Sequence, residues 1–423
     1  MSVQKNFWQD HDAIQNRKLI PISNMQLRDL GVCTNWFEHV EKMEELRNNP
    51  PNIVIGEAKK YFRIRQNFYK DDQELKKGIS YVMGLGVYQQ IHSDTDKQKI
   101  LVPSKMKFKN IYRPYMGQDL TNKSLIVMRT GGIGDLLFIQ PNLIYLKEKY
   151  PTCRIIFSCG KNYQAMVKNW GCVDELIDLP FPVKYLIDTS YHCLFEGVIE
   201  RCKEAHIQNS YRLFTKWMGL NLPDEKLLPR QVPDQKSLDE IKENLKNINL
   251  QENDFLIFQL RSSTPIRTPD LNFWCKMIDN ITDRGHKVAI VDRKGMSDRV
   301  DDFMKGLKNK DKVYNLAKFL PSLNYTIALT SLCKMVVATD SALNHIAASL
   351  DVKCYGIYGP FPGEIRLTTY PKAKWVDAKR HCAPCFLHQP KPCPEAGLSG
   401  YSPCYNNIDI QNTCDEIEGF LND

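Results

Sequence analysis

The sequence predicts an α/β protein with two Rossmann-like domains, each built on a doubly wound parallel sheet. Short apolar runs alternate with stretches of helical periodicity over residues 124–218, and the same alternation returns over residues 255–358. Between them lies the polar stretch Asn221–Leu250, which has the composition of an interdomain linker with one surface helix. Ligands of such sheets bind beyond the carboxyl ends of the strands. We therefore expect two facing domains with a cleft between them.

The first α/β set opens with a strand, a glycine-rich turn and a helix. Leu125–Met128 is an apolar run, and Leu136–Tyr150 carries apolar residues at helical spacing. The turn between them contains Thr130, Gly131, Gly132 and Gly134. Glycines let backbone N–H groups approach a ligand at a helix N-terminus, where the helix dipole favours anions. Asp135 follows at once, and the local pattern leaves open whether it compensates the helix dipole or acts in catalysis.

Composition and length set the broad class of the protein. The chain has 423 residues, 43% of them hydrophobic and 25% charged, which is typical of a globular protein with two or three domains. The formal net charge of +8 suits a polyanionic ligand but does not require one. No run of about 18 apolar residues and no apolar leader segment is present in the printed sequence, so we expect a cytoplasmic protein without a transmembrane segment.

Residues 1–120 form an N-terminal extension of unknown role. Helices are predicted at Asn35–Asn48 and Asp71–Leu85. The stretch Lys59–Arg65 interleaves cations with aromatic residues. This pattern is compatible with binding to a nucleic acid or a glycan. It is also compatible with a β-strand whose two faces both pack against the protein.

Two windows of the sequence resemble glycosyltransferase family 9, the group that contains the ADP-heptose–lipopolysaccharide heptosyltransferases. The first is RTGGIGDLLFIQPNLIYLKEKYP, Arg129–Pro151. The second is VYNLAKFLPSLNYTIALTSLCKMVVATDSALNHIAASLDVKCYGIYGP, Val313–Pro360. The resemblance implies a GT-B architecture, an inverting transfer from a nucleoside-diphosphate sugar, and no required metal. It also places Asp135 as the general base that deprotonates the acceptor hydroxyl, a role that suits a carboxylate within hydrogen-bond reach.

The second window implies a binding site for the donor. Asp340, Ser341 and His345 match the donor-binding loop of the family, whereas Ala342 stands where relatives usually have glycine. The extra methyl group narrows backbone approach to the donor. The loop after the strand Phe255–Leu260 supplies a phosphate-binding cation in relatives, for which Arg267 is the first candidate and Arg261 the second. The acidic residue that contacts the ribose has no clear match, although Asp292 and Asp298 are near.

The cysteines fall into two groups. Nine of the 14 are scattered from Cys33 to Cys354, as expected of reduced thiols in the core. The others crowd the C-terminal region, where Cys382, Cys385, Cys393 and Cys404 are candidate zinc ligands. The ten residues between Cys393 and Cys404 exceed the usual spacing, and the same window resembles a Cys- and Pro-rich tail of relatives in which no metal site is established. Zinc binding and a tail without metal are both left open.

The sequence therefore predicts a glycosyltransferase that uses a nucleotide sugar and a glycan-type acceptor, with no required cofactor. Two alternatives stay open: a glycosyltransferase that modifies DNA bases, and a non-catalytic zinc-containing protein that binds nucleic acid. The predicted regions are residues 1–120 (extension), 121–235 (acceptor domain), 250–380 (nucleotide-sugar domain) and 381–423 (Cys/Pro-rich tail and terminal helix). The sugar, the base, the acceptor and the oligomeric state are not indicated.

Overall fold

The structure is a computed structural model that describes residues 47, 53–65, 72–85, 87–88, 100–293, 295–387, 393–396 and 400–423. These residues belong to two compact units, and the chain passes from the N-terminal unit to the C-terminal unit between Leu227 and Leu228. The predicted helix Asn35–Asn48 lies outside the described residues except for Arg47. Within the described ranges, no helix is both long enough and apolar enough to cross a bilayer.

The N-terminal unit contains ten strands and five α-helices in its described part. The strands are β1 (Ile53–Ala58), β2 (Phe62–Arg65), β3 (Asp72–Leu75), β4 (Ser80–Gly84), β5 (Leu101–Pro103), β6 (Ser124–Met128), β7 (Arg154–Ser158), β8 (Glu175–Ile177), β9 (Phe181–Pro182) and β10 (Tyr191–Leu194). The helices are α1 (Ile133–Lys149), α2 (Lys161–Lys168), α3 (Lys184–Asp188), α4 (Val198–Arg201) and α5 (Ser210–Trp217).

Two four-stranded sheets pack together in this unit. The first is parallel, in the order β10-β6-β7-β8, and its central strand β6 is buried throughout its apolar run. The second has the order β5-β1-β4-β9 and is antiparallel, so the short strand β9 from the α/β region completes a sheet that the extension begins. Ile55 and Val82 of the antiparallel sheet share one apolar core with Ile126 and Ile156 of the parallel sheet. This shared core holds the extension beside the glycine turn.

The helix predicted at Asp71–Leu85 is wrong, because the structure has strands β3 and β4 there. Gly78, with φ of +80°, breaks the segment between the two strands. Tyr81, Val82 and Met83 are all buried, and Val82 pairs with Ile55 of β1. Strand pairing and burial on both faces therefore override the local helical pattern. The basic and aromatic stretch Lys59–Arg65 leads into strand β2, which pairs with β3.

The C-terminal unit contains one six-stranded parallel sheet in its described part. Its strands are β11 (Phe255–Gln259), β12 (Lys287–Ile290), β13 (Val313–Asn315), β14 (Met335–Thr339), β15 (Lys353–Tyr358) and β16 (Ala373–Asp377). Its α-helices are α6 (Gln235–Asn247), α7 (Leu271–Asp283), α8 (Ser297–Met304), α9 (Leu323–Thr330), α10 (Ala342–Ser349), α11 (Glu364–Leu367) and α12 (Ile410–Asn422).

The strand order of this sheet is β13-β12-β11-β14-β15-β16, which is the doubly wound order of dinucleotide-binding proteins. The order reverses between β11 and β14, so their carboxyl ends flank the crevice where such sheets bind ligands. Helix α6, which lies in the predicted linker stretch, packs against α9 and buries Ile241 and Leu245. The terminal helix α12 packs against α7. The predicted α/β class with parallel sheets is confirmed.

Candidate functional site

The glycine turn after β6 holds Asp135 against Arg129. Gly132 has φ of +85°, and a Cβ atom there would lie 2.5 Å from Oδ2 of Asp135, so only glycine fits beside this carboxylate. Nη2 of Arg129 donates to the same Oδ2. Nη1 of Arg129 donates to the carbonyl of Phe195 (2.9 Å), and its Nε donates to the carbonyl of Gly131 (3.1 Å). The arginine therefore ties the turn, the carboxylate and the end of β10 together.

Asp135 keeps one oxygen available for chemistry. Its side chain is 20% exposed, whereas that of Arg129 is 5% exposed. Among the described residues, Oδ1 of Asp135 has no hydrogen-bond partner, since the pair with Arg129 uses Oδ2. The sequence prediction of Asp135 thus falls on a partly exposed and fixed carboxylate, while the sequence reasoning missed Arg129, which fixes it.

Glu196, after β10, was also missed and supports the other side of the turn. It is buried, and its Oε1 accepts the backbone N–H of Thr130. The hydroxyl oxygen of Thr130 is buried without a hydrogen-bond partner and faces Gly84, the last residue of β4, where a Cβ atom would lie 2.7 Å from it. The extension sheet therefore forms one wall of the glycine turn.

A groove of about 1160 Å³ lies elsewhere in the N-terminal unit. The end of β8 and the segment of β9 form one side, and Gly78–Tyr81 of the extension is on another. Ile79, Met106 and Ile187 line it and are each at least 39% exposed. Lys161, the first residue of α2, is also in its lining.

In the C-terminal unit, Arg267 and Asp340 meet at the switch point of the sheet. Arg267 follows β11, Asp340 follows β14, and their Nη1 and Oδ2 atoms are 3.2 Å apart. Nη1 of Arg267 also lies 3.2 Å from the backbone carbonyl of Asp340, and Ser262 donates its hydroxyl to that carbonyl at 3.0 Å. These contacts bring together two residues that the sequence predicted separately for donor binding.

Arg261 has a different set of contacts from Arg267. Its guanidinium makes a two-point ion pair with Asp292, with distances of 2.9 Å and 2.8 Å. Both side chains are largely buried. Such a fork fixes both partners and satisfies much of the charge of the arginine. Asp292, considered from the sequence for the ribose, is thus engaged with Arg261.

Ser341 and Ala342 begin helix α10. The hydroxyl of Ser341 donates to Oε1 of Gln259 at 2.6 Å, which ties the end of β11 to the loop after β14 instead of capping the helix. Ala342 is the first residue of the helix, so the methyl group that replaces the usual glycine lies at its N-terminus. The helix begins three residues before His345, earlier than the sequence predicted.

His345 is buried within α10 and packs on Tyr370. Its Nδ1 lies 2.7 Å from the hydroxyl of Tyr370. Burial lowers the pKa of His345 to about 3, with Arg366 and Arg267 acting in the same direction and Asp340 against it. The imidazole is therefore neutral near pH 7. It is placed to orient its surroundings through hydrogen bonding, without a charge of its own.

Arg366 is a third cation in this cluster, and the sequence reasoning missed it. It lies in the short helix α11, is buried, and stacks over the ring of Phe361 with 5.0 Å between the guanidinium carbon and the ring centre. Burial alone would raise the pKa of Asp340, but the charges of Arg267 and Arg366 outweigh it and hold that pKa below its usual value. Asp340 is therefore ionised, and the charges of both arginines stabilise its carboxylate.

The four candidate zinc ligands are near one another but not in a ligand arrangement. The pKa of Cys404 is raised to about 12, chiefly by burial and then by the nearby Cys393, Cys385 and Cys382. Within the described ranges, the only three ligand atoms that lie within 4.8 Å of one another come from His381, Cys382 and Glu395. A tetrahedral zinc site needs four ligand atoms within about this distance of one another, and the four cysteine sulfur atoms are not grouped so closely.

The group His381, Cys382 and Glu395 does not replace the four-cysteine site as a metal site. Glu395 is ion-paired with Arg380 at 2.5 Å, which places a cation beside the trio. As arranged, the candidate ligands do not form the four-thiolate site that the sequence left open.

Comparison with known proteins finds one family model that matches part of the chain. Residues 194–394 match the sequence model of glycosyltransferase family 9 (heptosyltransferase). This match includes the window Val313–Pro360 and begins after the glycine turn. Comparison with curated protein sequences gives no match.

Several solved structures share the fold. The glycosyltransferase family 9 protein of Veillonella parvula DSM 2008 aligns with a TM-score of 0.56 and 14% identity over 72% of this chain and 98% of its own. ADP-heptose LPS heptosyltransferase II of E. coli aligns with a TM-score of 0.50 and 15% identity over 71% and 98%. TibC, an iron-containing dodecameric glycosyltransferase of enterotoxigenic E. coli, covers 91% of this chain and 97% of its own with 12% identity, but its TM-score of 0.48 supports no inference.

These findings agree with the doubly wound sheet and with the loop around Asp340. The GT-B architecture predicted from the sequence is confirmed by the fold of the relatives. None of the comparisons supports nucleic acid as a partner. The family match also favours an enzyme over a non-catalytic protein. The resemblance noted from the sequence is thereby confirmed: residues 194–394 match the model of glycosyltransferase family 9, and this match supports an enzyme of the glycosyltransferase class.

Proposed function

We propose that this chain transfers a sugar, of the heptose kind named for its family, from a nucleoside diphosphate to a hydroxyl group of a glycan-type acceptor, with inversion at the anomeric carbon. The observation that carries the proposal is the cluster of Arg267, Asp340 and Arg366 at the switch point of the C-terminal sheet. A buried cationic cluster beyond the carboxyl ends of β11 and β14 suits a diphosphate.

The cluster would stabilise the departing nucleoside diphosphate. Asp292 satisfies much of the charge of Arg261, and Asp340 pairs with Arg267 and feels the charge of Arg366. The three arginines and two carboxylates therefore carry one net positive charge. When the bond to the sugar breaks, negative charge grows on the diphosphate. Fixed guanidinium groups stabilise that charge without reorganisation. The N-terminus of α10 adds backbone N–H groups beside the same loop.

Asp135 would serve as the general base. Arg129 fixes the carboxylate through Oδ2, and Oδ1 remains able to accept the proton of the acceptor hydroxyl. As the hydroxyl oxygen attacks the anomeric carbon from the face opposite the leaving diphosphate, the new carbon–oxygen bond forms and its proton passes to Asp135. A single displacement of this kind inverts the anomeric configuration.

The proposal is tested with Asp135→Asn. The amide cannot accept the proton, so we expect transfer to fall by about 10²–10⁴-fold while the donor still binds. The assay measures nucleoside diphosphate release and sugar transfer with a panel of nucleotide sugars. Asp224→Asn is a matched control, since it also breaks an arginine–aspartate pair of the same unit, with Arg212. Normal turnover by Asp135→Asn would remove Asp135 from the mechanism.

The acceptor class and the metal requirement are tested separately. Retention of duplex DNA on filters with a steep salt dependence would favour the DNA acceptor, whereas no retention at low salt would exclude it. Full transfer after treatment with EDTA would agree with the proposed metal independence. Less than about a tenth of a zinc per purified chain would rule out the structural zinc site.

A further inference from the structure

The C-terminal region contacts the loop that carries Arg267. The hydroxyl of Ser402 donates to the backbone carbonyl of Ile266 at 2.6 Å. Both residues are buried, Ser402 being 2% exposed. Ile266 and Arg267 belong to the same 3-10 turn, Pro265–Arg267, so the hydrogen bond fixes the backbone one residue before the guanidinium.

The last residue of β14 also holds this turn. The hydroxyl of Thr339 donates to the carbonyl of Arg267. The segment that carries Ser402 is itself anchored, since the ring of Tyr405 is buried against Gly359 so closely that a Cβ atom there would lie 2.7 Å from it. Ser402 is therefore a rigid donor and not an exposed side chain that happens to lie nearby.

A second part of the C-terminal region reaches Arg366. The backbone N–H of Phe386 donates to the carbonyl of Pro360 at 2.8 Å. The ring of Phe386 packs edge-on against the ring of Phe361, with 5.8 Å between the ring centres. Arg366 stacks on that same Phe361 ring. Phe386 thus helps to position Arg366, as Ser402 helps to position Arg267.

We infer that Ser402 and Phe386 are positioning residues for the donor site: Ser402 holds the turn that aims Arg267, and Phe386 holds the ring on which Arg366 rests. This inference rests on the proposed role of the two arginines in binding the diphosphate. It gives the Cys-rich region a function in the reaction, because Phe386 follows Cys385 directly and Ser402 lies two residues before Cys404. Neither residue needs to touch the donor itself.

The test is a double-mutant cycle on the full chain with ADP and inorganic pyrophosphate as probes. Pyrophosphate carries the charge of the diphosphate without a base or a sugar. We expect Ser402→Ala to weaken binding of both probes about fivefold to tenfold, as the loss of one buried hydrogen bond allows. In the Arg267→Ala background, the same substitution should cause no further loss, because Ser402 acts through Arg267.

Ser237→Ala is the matched control. Ser237 is also 2% exposed and also donates a short hydrogen bond, 2.7 Å to Asp234, but it lies in α6. We expect it to lower the thermal midpoint as Ser402→Ala does and to leave ADP affinity within twofold. Phe386→Leu tests the contact between Phe386 and Phe361 and is compared in wild-type and Arg366→Ala backgrounds. Phe386 is only partly buried, so its substitution should leave the fold intact.

The outcomes separate the two proposals. If Arg267→Ala and Arg366→Ala bind both probes as tightly as wild type does, the donor site is wrong and the positioning roles fall with it. If the arginine variants lose affinity but Ser402→Ala and Phe386→Leu do not, the donor site stands and the positioning roles are wrong. Equal losses from Ser402→Ala in both backgrounds would also overturn its role, since it would then act independently of Arg267.

Discussion

At the scale of single residues, Gly132 and Arg129 together decide where the carboxylate of Asp135 points. Gly132 leaves room for Oδ2 by having no side chain, and Nη2 of Arg129 donates to that oxygen. The position of a general base must be held closely, because small displacements cost large factors in rate. The turn thus fixes the orientation of the Asp135 carboxylate in addition to connecting β6 with α1.

Gly132→Ala should therefore impair transfer more than donor binding. A Cβ atom would lie 2.5 Å from Oδ2, and the φ of +85° disfavours any L side chain, so Asp135 must move. We expect the rate of transfer to fall about tenfold or more with a small change in KM for the donor. Gly171→Ala is the control, because it carries the same strain at φ of +70° but meets no atom within 4 Å. Equal losses in the two variants would contradict the prediction.

His345 predicts a dependence of stability on pH. Its pKa is lowered to about 3 in the folded chain, from 6.5 when unfolded. Between these values the unfolded state binds the proton and the folded state does not, so the free energy of unfolding rises with pH and falls on acidification. Acidification from pH 6.5 to pH 5 should lower the free energy of unfolding by about 2 kcal/mol through this residue alone.

Urea unfolding at the two pH values measures this loss. His345→Gln lacks the titrating ring and should lose less stability than wild type over the same interval. His192, whose pKa burial lowers to about 4, titrates in both proteins and cancels in the comparison. Asp340 becomes protonated only at lower pH, since its pKa lies below 3.8. An equal loss in both proteins would show that His345 is protonated in the folded state.

Which residues the sequence could identify depended on how local their signal was. Asp135 and Asp340 each follow a strand within a motif and were predicted. Glu196 and Arg129 make contacts with residues far away in the chain, Glu196 with Thr130 and Arg129 with the carbonyl of Phe195. Arg366 acts on the distant Asp340 through its charge. Arg129 begins the window Arg129–Pro151, so its place in that motif could have drawn attention to it, whereas nothing in the neighbouring sequence of Glu196 and Arg366 distinguishes them from other charged residues.

At the scale of elements, the antiparallel sheet of the extension limits the space of the glycine turn. Gly84→Ala would place a Cβ atom 2.7 Å from the hydroxyl oxygen of Thr130. We expect this change to shift Thr130 and reduce transfer about tenfold, although β4 would keep its pairing with β1. Gly419→Ala in α12 is the control, as it meets open space and should leave transfer unchanged. Wild-type rates in Gly84→Ala would show that the extension does not act on the turn.

Element prediction succeeded where pattern and burial agreed. Strands such as β11 and β14 are continuous apolar runs because both of their faces are covered by other elements, and such runs are visible in the sequence. The segment Asp71–Leu85 failed because its apolar residues are buried by pairing with β1, a partner about 25 residues away. The edge strand β16 went unpredicted, since none of its residues is buried enough to require an apolar run.

At the scale of the whole molecule, the two units differ in how well each could bind an anion. The sequence by itself allowed a phosphate site at the glycine turn, since glycines before a helix are typical of one. In the structure, that turn is occupied by a carboxylate, Asp135, which an anion would avoid. The switch point of the C-terminal sheet instead presents Arg267 and Arg366. Charge therefore favours the C-terminal unit for the diphosphate.

Hydrogen exchange with and without ADP tests this assignment across the full chain. Bound ligand stabilises the segments that hold it and slows their local opening, so we expect the strongest protection in residues 261–268, 339–345 and 361–367. Residues 129–135 should change little, because ADP brings no acceptor hydroxyl to Asp135. Inorganic pyrophosphate should protect the same three segments more weakly, since it lacks the base and the ribose. Protection concentrated at residues 129–135 would instead place the diphosphate at the glycine turn and would leave the arginine cluster with a structural role, in balancing the buried charge of Asp340.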